Sequence, residues 1–228
     1  MSIKHLLLSG AAALIAFPAL AADLPAPVAP PIEDIPIWNP WQVRVRAIAV
    51  IPDEDAKLKL DSVRLPGADV DASNEIVPEL DITYYFTKNI AAELILGTTF
   101  HGVDADGTIS SLGKIGRTWI LPPTLTAQYH FTNFGPNFKP YLGAGVNYTI
   151  FYSEKAKAPF TSFKLDNSFG FALQAGVDFM VNEHWGINLD VKKLFLKPDV
   201  KATVAGSVVT GDVRLDPWIV GAGVTYKF

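Results

Sequence analysis

The stretch Trp41-Gln-Val-Arg-Val-Arg-Ala-Ile-Ala-Val-Ile51 alternates with a period of two. Trp41, Val43, Val45, Ala47, Ala49 and Ile51 share one face, while Gln42, Arg44, Arg46, Ile48 and Val50 share the other. Alternation of this kind belongs to a strand rather than a helix. It recurs over residues 76–86, 90–100, 117–131, 140–152, 168–181, 185–196 and 212–228, which makes eight segments in all. Each is near or above the roughly 9–11 residues that a tilted membrane-spanning strand needs. The connections 87–89, 132–139 and 182–184 are short, whereas 52–74, 102–116, 153–167 and 197–211 are longer and richer in Gly, Asp, Lys and Ser. Short turns on one side and long loops on the other are the asymmetry of an outer-membrane barrel. The expected fold is all-β: an eight-stranded antiparallel up-and-down barrel that spans the membrane, with both ends of the chain on the periplasmic side.

Composition agrees once the barrel is assumed. The 228 residues are 49% hydrophobic, yet beyond Ala22 no apolar run reaches the roughly 20 residues of a spanning helix. A barrel strand can sit in lipid at moderate hydropathy because only alternate residues face the bilayer. Ahead of the barrel, Lys4 and His5, an apolar stretch over residues 6–17 and the small residues around Ala19 to Ala22 have the order of a secretory signal peptide. Residues 1–22 are its expected extent, with cleavage after Ala21 or Ala22 and export to the cell outer membrane. Residues 23–40 are rich in proline, which forbids a helix, and are expected to form an extended periplasmic leader before the barrel of residues 41–228. Cysteine is absent, which excludes disulfides and thiolate metal sites. The net charge of −4 offers no basic patch for nucleic acid, and no cofactor or metal motif is present.

The last strand ends with Val220, Ala222, Val224, Tyr226 and Phe228 on one side. A closing strand that finishes on an aromatic resembles the signal by which outer-membrane barrels meet their assembly machinery, so Phe228 is the expected contact. Four further segments carry a family likeness: Leu121-Pro-Pro-Thr-Leu-Thr-Ala-Gln-Tyr129, Pro140-Tyr-Leu-Gly-Ala-Gly-Val-Asn-Tyr-Thr149, Asn167-Ser-Phe-Gly170 continuing to Gln174-Ala-Gly-Val-Asp178, and Val213-Arg-Leu-Asp-Pro-Trp218. With them the chain resembles the OmpW family of small outer-membrane proteins over residues 41–228. The resemblance implies an eight-stranded barrel with a narrow hydrophobic channel for small apolar molecules. The Pro-rich leader and the first long loop depart from that pattern, and nothing is carried over to them.

Strand direction assigns a height to each inward residue. The periplasmic half receives Arg44, Arg46, Glu79, Asp81, Glu93, Gln128, Asp178, Asp190 and Lys192; the outer half receives Ile48, Val50, Ile95, Ile120, Phe151, Leu194, Leu196, Leu215 and Ile219. The charged set reads most simply as an ion-paired plug, because a buried charge without a partner is very costly. The apolar set reads either as packing or as a hydrophobic vestibule open to the cell surface; barrel interiors are ordinarily polar, which favours the vestibule. Pro122, Pro123 and Pro217 lie near outer strand ends, where each removes a ladder donor. They mark either bulges or a lateral exit into the bilayer. The phase is least secure at Arg214-Leu-Asp-Pro217, where a bulge would exchange inward and outward sets.

No catalytic constellation emerges: G-x-S-x-G, H-E-x-x-H and P-loop patterns are all missing, and the chain does not read as an enzyme. His130 falls on the inward phase near the lower rim as a hydrogen-bonded lumen residue, and the sequon Asn147-Tyr148-Thr149 lies inside a strand. The expected partners are membrane lipids, lipopolysaccharide and small hydrophobic solutes. The alternative is a surface barrel acting as a structural anchor or as a receptor for external macromolecules.

Overall fold

A computed structural model describes residues 39–228. The expected signal peptide, and the leader up to Trp38, lie outside the described residues. In chain order, β1 (Trp41–Ile51) is followed by the short β2 (Asp55–Leu60), β3 (Val63–Arg64) and β4 (Ala68–Ala72). β5 (Glu75–Tyr85) and β6 (Ile90–Gly97) come next, then β7 (Thr99–Gly107) and β8 (Lys114–Leu121), with a 3-10 turn at Ser110–Leu112 between them. β9 (Thr124–His130) leads to the long β10 (Phe138–Ala156), β11 (Phe160–Leu165), β12 (Ser168–Met180) and β13 (Trp185–Leu196). β14 (Asp199–Val204), β15 (Ser207–Arg214) and β16 (Trp218–Lys227) complete the described chain.

Eight of these strands close the barrel in the order β1-β5-β6-β9-β10-β12-β13-β16, every pair antiparallel. Closure comes from β16 against β1, in register from Gln42↔Lys227 to Ile51↔Trp218. From the periplasmic turns up to the level of Glu79↔Gly97 no sheet edge is then left to lipid, where an unpaired backbone group would find no water. Each strand turns an apolar side chain outward at mid-height: Val45, Leu80, Leu94, Leu125, Leu142, Leu173, Leu189 and Val220 are all exposed. This belt is the lipid-facing surface. Aromatic rings flank it on both sides. At the lower edge Trp41 meets Tyr84 at 4.9 Å and Tyr226 meets Phe228 at 4.9 Å; at the upper edge Tyr148 meets Phe169 at 4.6 Å.

Three expected strands are each divided. The segment 90–100 breaks at Thr98 into β6 and β7. The segment 117–131 breaks at Pro122-Pro123 into β8 and β9, because neither proline can donate to the ladder. The segment 212–228 breaks at Leu215-Asp216-Pro217, where Asp216 has a φ of 20°. The phase survives that break: Val213, Pro217 and Ile219 are buried and Arg214 and Trp218 exposed. The four connections expected as loops are mostly strands. β4, β7, β8 and the outer end of β10 continue one side of the wall upward, and β11-β14-β15-β2-β3 form a separate five-stranded sheet. Asp69 ties the two together, its Oδ1 accepting from Ala56 N and Val70 N at 2.9 Å each.

Inside the barrel, Tyr141 lies opposite Gly176 and is 1% exposed. A Cβ at Gly176 would meet the Tyr141 ring and the Asp190 carboxylate. Replacing Gly176→Val is therefore expected to destabilise the barrel by about 1–3 kcal/mol through overpacking. The temperature at which the compact band is lost on a semi-native gel reads this out; an unchanged temperature would mean that Tyr141 is free to move aside.

Candidate functional site

The lower lumen is filled by side chains. On β1, Arg44 reaches Asp178 on β12 through Nε (3.1 Å to Oδ1) and Nη2 (2.7 Å to Oδ2). Its Nη1 pairs with Glu93 on β6 and donates to Thr83 Oγ1 at 3.0 Å. Arg46, two residues on, approaches Asp81 at 2.7 Å and Glu79 at 3.0 Å on β5, and Asp190 at 3.2 Å on β13. Lys192 pairs with Glu79 at 2.6 Å and Asp190 at 3.3 Å. Gln128 donates to Gln174, which in turn donates to Glu93 and to Asp190 at 2.9 Å each. All nine residues of the expected polar set thus meet in one network, and each is 5% exposed or less.

Several members were not foreseen in the sequence. Tyr141 donates to Asp190 at 2.6 Å, Asn188 to Asp178 at 2.9 Å and Thr225 to Asp178 at 2.8 Å. Their signal was simply inward phase with a polar tip, which the charged residues overshadowed. His130 is 2% exposed and lies within hydrogen-bond reach of Tyr85 at 3.3 Å and Gln128 at 3.0 Å. Asn147 is buried in the lumen, donating to Pro122 O at 3.1 Å and Thr124 Oγ1 at 2.8 Å.

Above the network the lumen opens into two apolar spaces. The lower one, about 70 Å³, rests on Glu79 and Lys192 and is bordered by Ile48, Val50, Ile95, Ile120, Leu194, Leu196, Leu215 and Ile219. The upper one, about 360 Å³, lies between the two outer sheets; Phe151 borders it, and Ala72, His101, Ile120 and Leu215 border both spaces. Eight of the nine apolar residues picked out by phase therefore line the lower space and the ninth lines the upper. Most of the upper wall was missed. Leu58, Val70, Ile115, Phe160, Phe163, Val200, Ala202 and Val209 form a buried apolar cluster around it on segments read as loops, joined by Val213 from the last expected strand. Lys57-Leu-Lys-Leu60 and Val200-Lys-Ala-Thr-Val204 do alternate, but in runs too short to stand out.

Few polar groups reach this space. His101, on β7 above the barrel strands, has Nδ1 2.7 Å from the Ser73 carbonyl and Nε2 3.0 Å from Thr99 Oγ1. A carbonyl can only accept, so Nδ1 carries the proton and Nε2 accepts from the threonine. Burial lowers the pKa of His101 from its usual 6.5, which leaves the ring neutral at pH 7.

The wall is not continuously bonded. β5 and β6 are paired only as far out as Glu79↔Gly97, and β4 and β7 begin at Ala72↔Val103. Beyond the bond from Ser73 N to Gly102 O, Asn74 to Pro78 and Thr98 to His101 face each other without a ladder. At about 3.3 Å per residue the gap is roughly 13 Å long. The prolines singled out in the sequence are better stitched. Tyr148 N donates to Pro123 O at 3.1 Å and Leu194 N to Pro217 O at 3.2 Å, while Asp216 Oδ1 takes Leu196 N at 3.0 Å. Compared with the proline sites, the interruption beside Pro78 and Gly97 is the wider one.

The OmpW family model matches residues 40–228. The chain belongs to the OmpW family. An uncharacterized outer-membrane protein, y4mB of Sinorhizobium fredii, is 49% identical over 95% of this chain and 93% of its own length. A dibenzothiophene metabolism operon protein, PahQ of Pseudomonas aeruginosa, is 32% identical over 85% of this chain and 92% of its own. Among solved structures, the outer membrane protein OprG of Pseudomonas aeruginosa aligns with a TM-score of 0.77 at 31% identity, covering 82% of this chain and 95% of OprG. This OmpW-family chain is an outer-membrane barrel, and the cell outer membrane is its location.

Removing one partner from the buried network leaves others uncompensated. Arg44→Met strands Glu93 and Asp178 and is expected to destabilise the barrel by about 3–5 kcal/mol. Lys197→Met breaks only the half-exposed pair with Asp212 at 2.9 Å, which is worth about 0–1 kcal/mol. Urea midpoints of the folded barrels in detergent measure both. Equal midpoints would show that the network does not hold the lumen together.

Proposed function

We propose that this OmpW-family barrel admits small apolar solutes from the cell surface and releases them sideways into the bilayer. The observation that carries the proposal is the apolar space of about 360 Å³ seated above a floor of paired charge. A solute that buries about 200 Å² of apolar surface there gains on the order of 5 kcal/mol. The name of the relative PahQ, from a dibenzothiophene metabolism operon, fits an apolar cargo.

The same solute cannot continue down the axis. To pass Glu79, Lys192 and the arginines it would have to break their ion pairs and hydrogen bonds and replace none of them. The unladdered stretch beside Pro78 and Gly97 is the remaining way out. It borders the lower space, where Gly97, Thr99 and His101 form part of the lining, and it opens at the level of the apolar belt. Ile76, 79% exposed, stands on its outer side. Residues Ile48, Val50, Ile95, Ile120, Phe151, Leu194, Leu196, Leu215 and Ile219 are thus assigned to the path, and the charged set beneath them to the stopper.

Uptake of a labelled small hydrocarbon by cells lacking the protein, complemented at matched membrane levels, tests the path. Wild type is expected to raise uptake, and Leu215→Asp combined with Ile219→Asp to return it to the empty-strain rate. If wild type itself gives no gain over the empty strain, transport of that solute is wrong and the anchor-or-receptor alternative takes its place. The exit is tested separately. A Cβ at Gly97 finds only ordinary contact, with Pro78 O at 3.6 Å, so Gly97→Phe is expected to be accommodated while filling the gap. Uptake should fall several-fold while the purified barrel still binds the solute. Undiminished uptake would place the exit elsewhere.

A further inference from the structure

The register of the outer five-stranded sheet aligns charge in a way the transport proposal does not use. Lys164 of β11 lies opposite Lys201 of β14, Lys201 opposite Thr210 of β15, Thr210 opposite Lys59 of β2, and Lys59 opposite Arg64 of β3. One row across all five strands therefore reads Lys164, Lys201, Thr210, Lys59, Arg64, with four cations and no acid. All four cationic residues are exposed, while their chain neighbours Phe163, Val200, Ala202 and Leu58 point into the apolar cluster. Like charges directly opposite on neighbouring strands are destabilising, and here they occur twice, at Lys164↔Lys201 and Lys59↔Arg64. Among the described residues the row makes a single ion pair, Lys201 to Asp166 at 3.4 Å, with both side chains about 60% exposed.

The acids sit one row nearer the membrane. Asp199 lies opposite Asp212 and Asp212 opposite Lys57, and Asp212 is already taken by Lys197 at 2.9 Å. A shallow basin of about 430 Å³ crosses both rows; Lys57, Lys59, Arg64 and Lys201 border it, together with Asp199 and Asp212. Its floor includes Gly211, where any Cβ would collide with the Lys57 carbonyl. With strands about 4.8 Å apart, the row is roughly 19 Å long. Thr210 precedes the outward-facing Trp218 by eight positions, which puts the row roughly 20 Å above the upper aromatic edge for a tilted strand.

We propose that this row is a docking surface for the phosphorylated core saccharide of the surrounding lipopolysaccharide. Spaced anionic groups on a linear saccharide match a row of exposed cations, three of them without an ion pair among the described residues, and binding relieves the two like-charge contacts. The height selects the core sugars rather than the lipid headgroup, which lies at the membrane surface. The basin at Thr210 and Gly211 offers room for a sugar ring between the lysines. This rests on the outer-membrane location alone and is independent of solute transport.

The test uses the full-length barrel in detergent and three probes: rough-type lipopolysaccharide with a phosphorylated core, the same material dephosphorylated, and inorganic phosphate. The variant combines Lys59→Gln, Arg64→Gln, Lys164→Gln and Lys201→Gln; the control combines Lys197→Gln and Arg214→Gln, which lie off the row. Wild type is expected to bind the phosphorylated material with an affinity that falls steeply with salt. The fourfold variant should lose about tenfold, the control less than threefold, and dephosphorylation should weaken wild type as much as the variant does. Compact-band mobility on a cold gel confirms that each variant is folded. Unchanged binding by the fourfold variant, insensitivity to dephosphorylation, or an equal loss in the control would overturn the assignment. If millimolar inorganic phosphate displaces the lipopolysaccharide completely, the row is a free-phosphate site and the saccharide assignment falls.

Discussion

Two arginines two residues apart on one strand organise the barrel. Arg44 and Arg46 both point inward from β1, and between them they reach carboxylates on β5, β6, β12 and β13. β6, β12 and β13 are not neighbours of β1, so these contacts tie strands that the backbone ladder does not connect directly. They also fix the register. A slip of one residue would turn both guanidinium groups into lipid, where a basic side chain at mid-bilayer costs about 2–4 kcal/mol. Five carboxylates, Glu79, Asp81, Glu93, Asp178 and Asp190, surround three bases, and hydrogen bonds from Tyr141, Gln174, Asn188 and Thr225 spread the excess negative charge. Such a network is conditional: complete, it is rigid; with one member removed, it leaves a charge with nowhere to go.

That rigidity lets the outer half remain open. An eight-stranded barrel is only just wide enough for side chains to fill, and in the lower half they do. Higher up, the inward residues become aliphatic and the walls divide into two sheets, so the interior widens instead of packing shut. The ladder also thins just below that level, beside Pro78 and Gly97. Plug, widening and gap are stacked along one axis, and each depends on the one below for a fixed frame.

The sequence showed the barrel because period-two alternation is strong in strands that must face lipid on one side for ten residues at a time. β1 and β13 were legible to the residue, since Trp41–Ile51 and Trp185–Leu196 alternate without interruption. The plug was legible for a related reason: charge on the inward phase has few alternatives to pairing. The upper sheets were not, because their strands are short, their outer faces carry Gly, Asp and Lys, and their inner faces use small residues such as Ala56, Ala68, Ala105 and Ala202, which give little contrast. The gap beside Pro78 was hidden for a different reason. It is a property of register between β5 and β7, and composition at Pro122-Pro123 pointed more loudly to a place where Asn147 and Tyr148 in fact restore the bonding.

The size of the upper space is itself an argument about selection. A sealed apolar void of about 360 Å³ would cost on the order of 9 kcal/mol at about 24 cal/mol per Å³, as much as the whole stability of many domains. A chain selected only for a stable barrel would fill it. Larger residues at Ala72, Ala202 or Ala205, all on its walls, would be enough to begin. The walls are instead held apart by two sheets whose strands bond laterally along β14-β15-β2 and β8-β7-β4, so the space is maintained by backbone hydrogen bonds rather than by the packing it lacks. The strongest directional bonds of the upper half thus keep an apolar interior unfilled above a lumen closed by ion pairs, and that is the arrangement on which the proposed path rests.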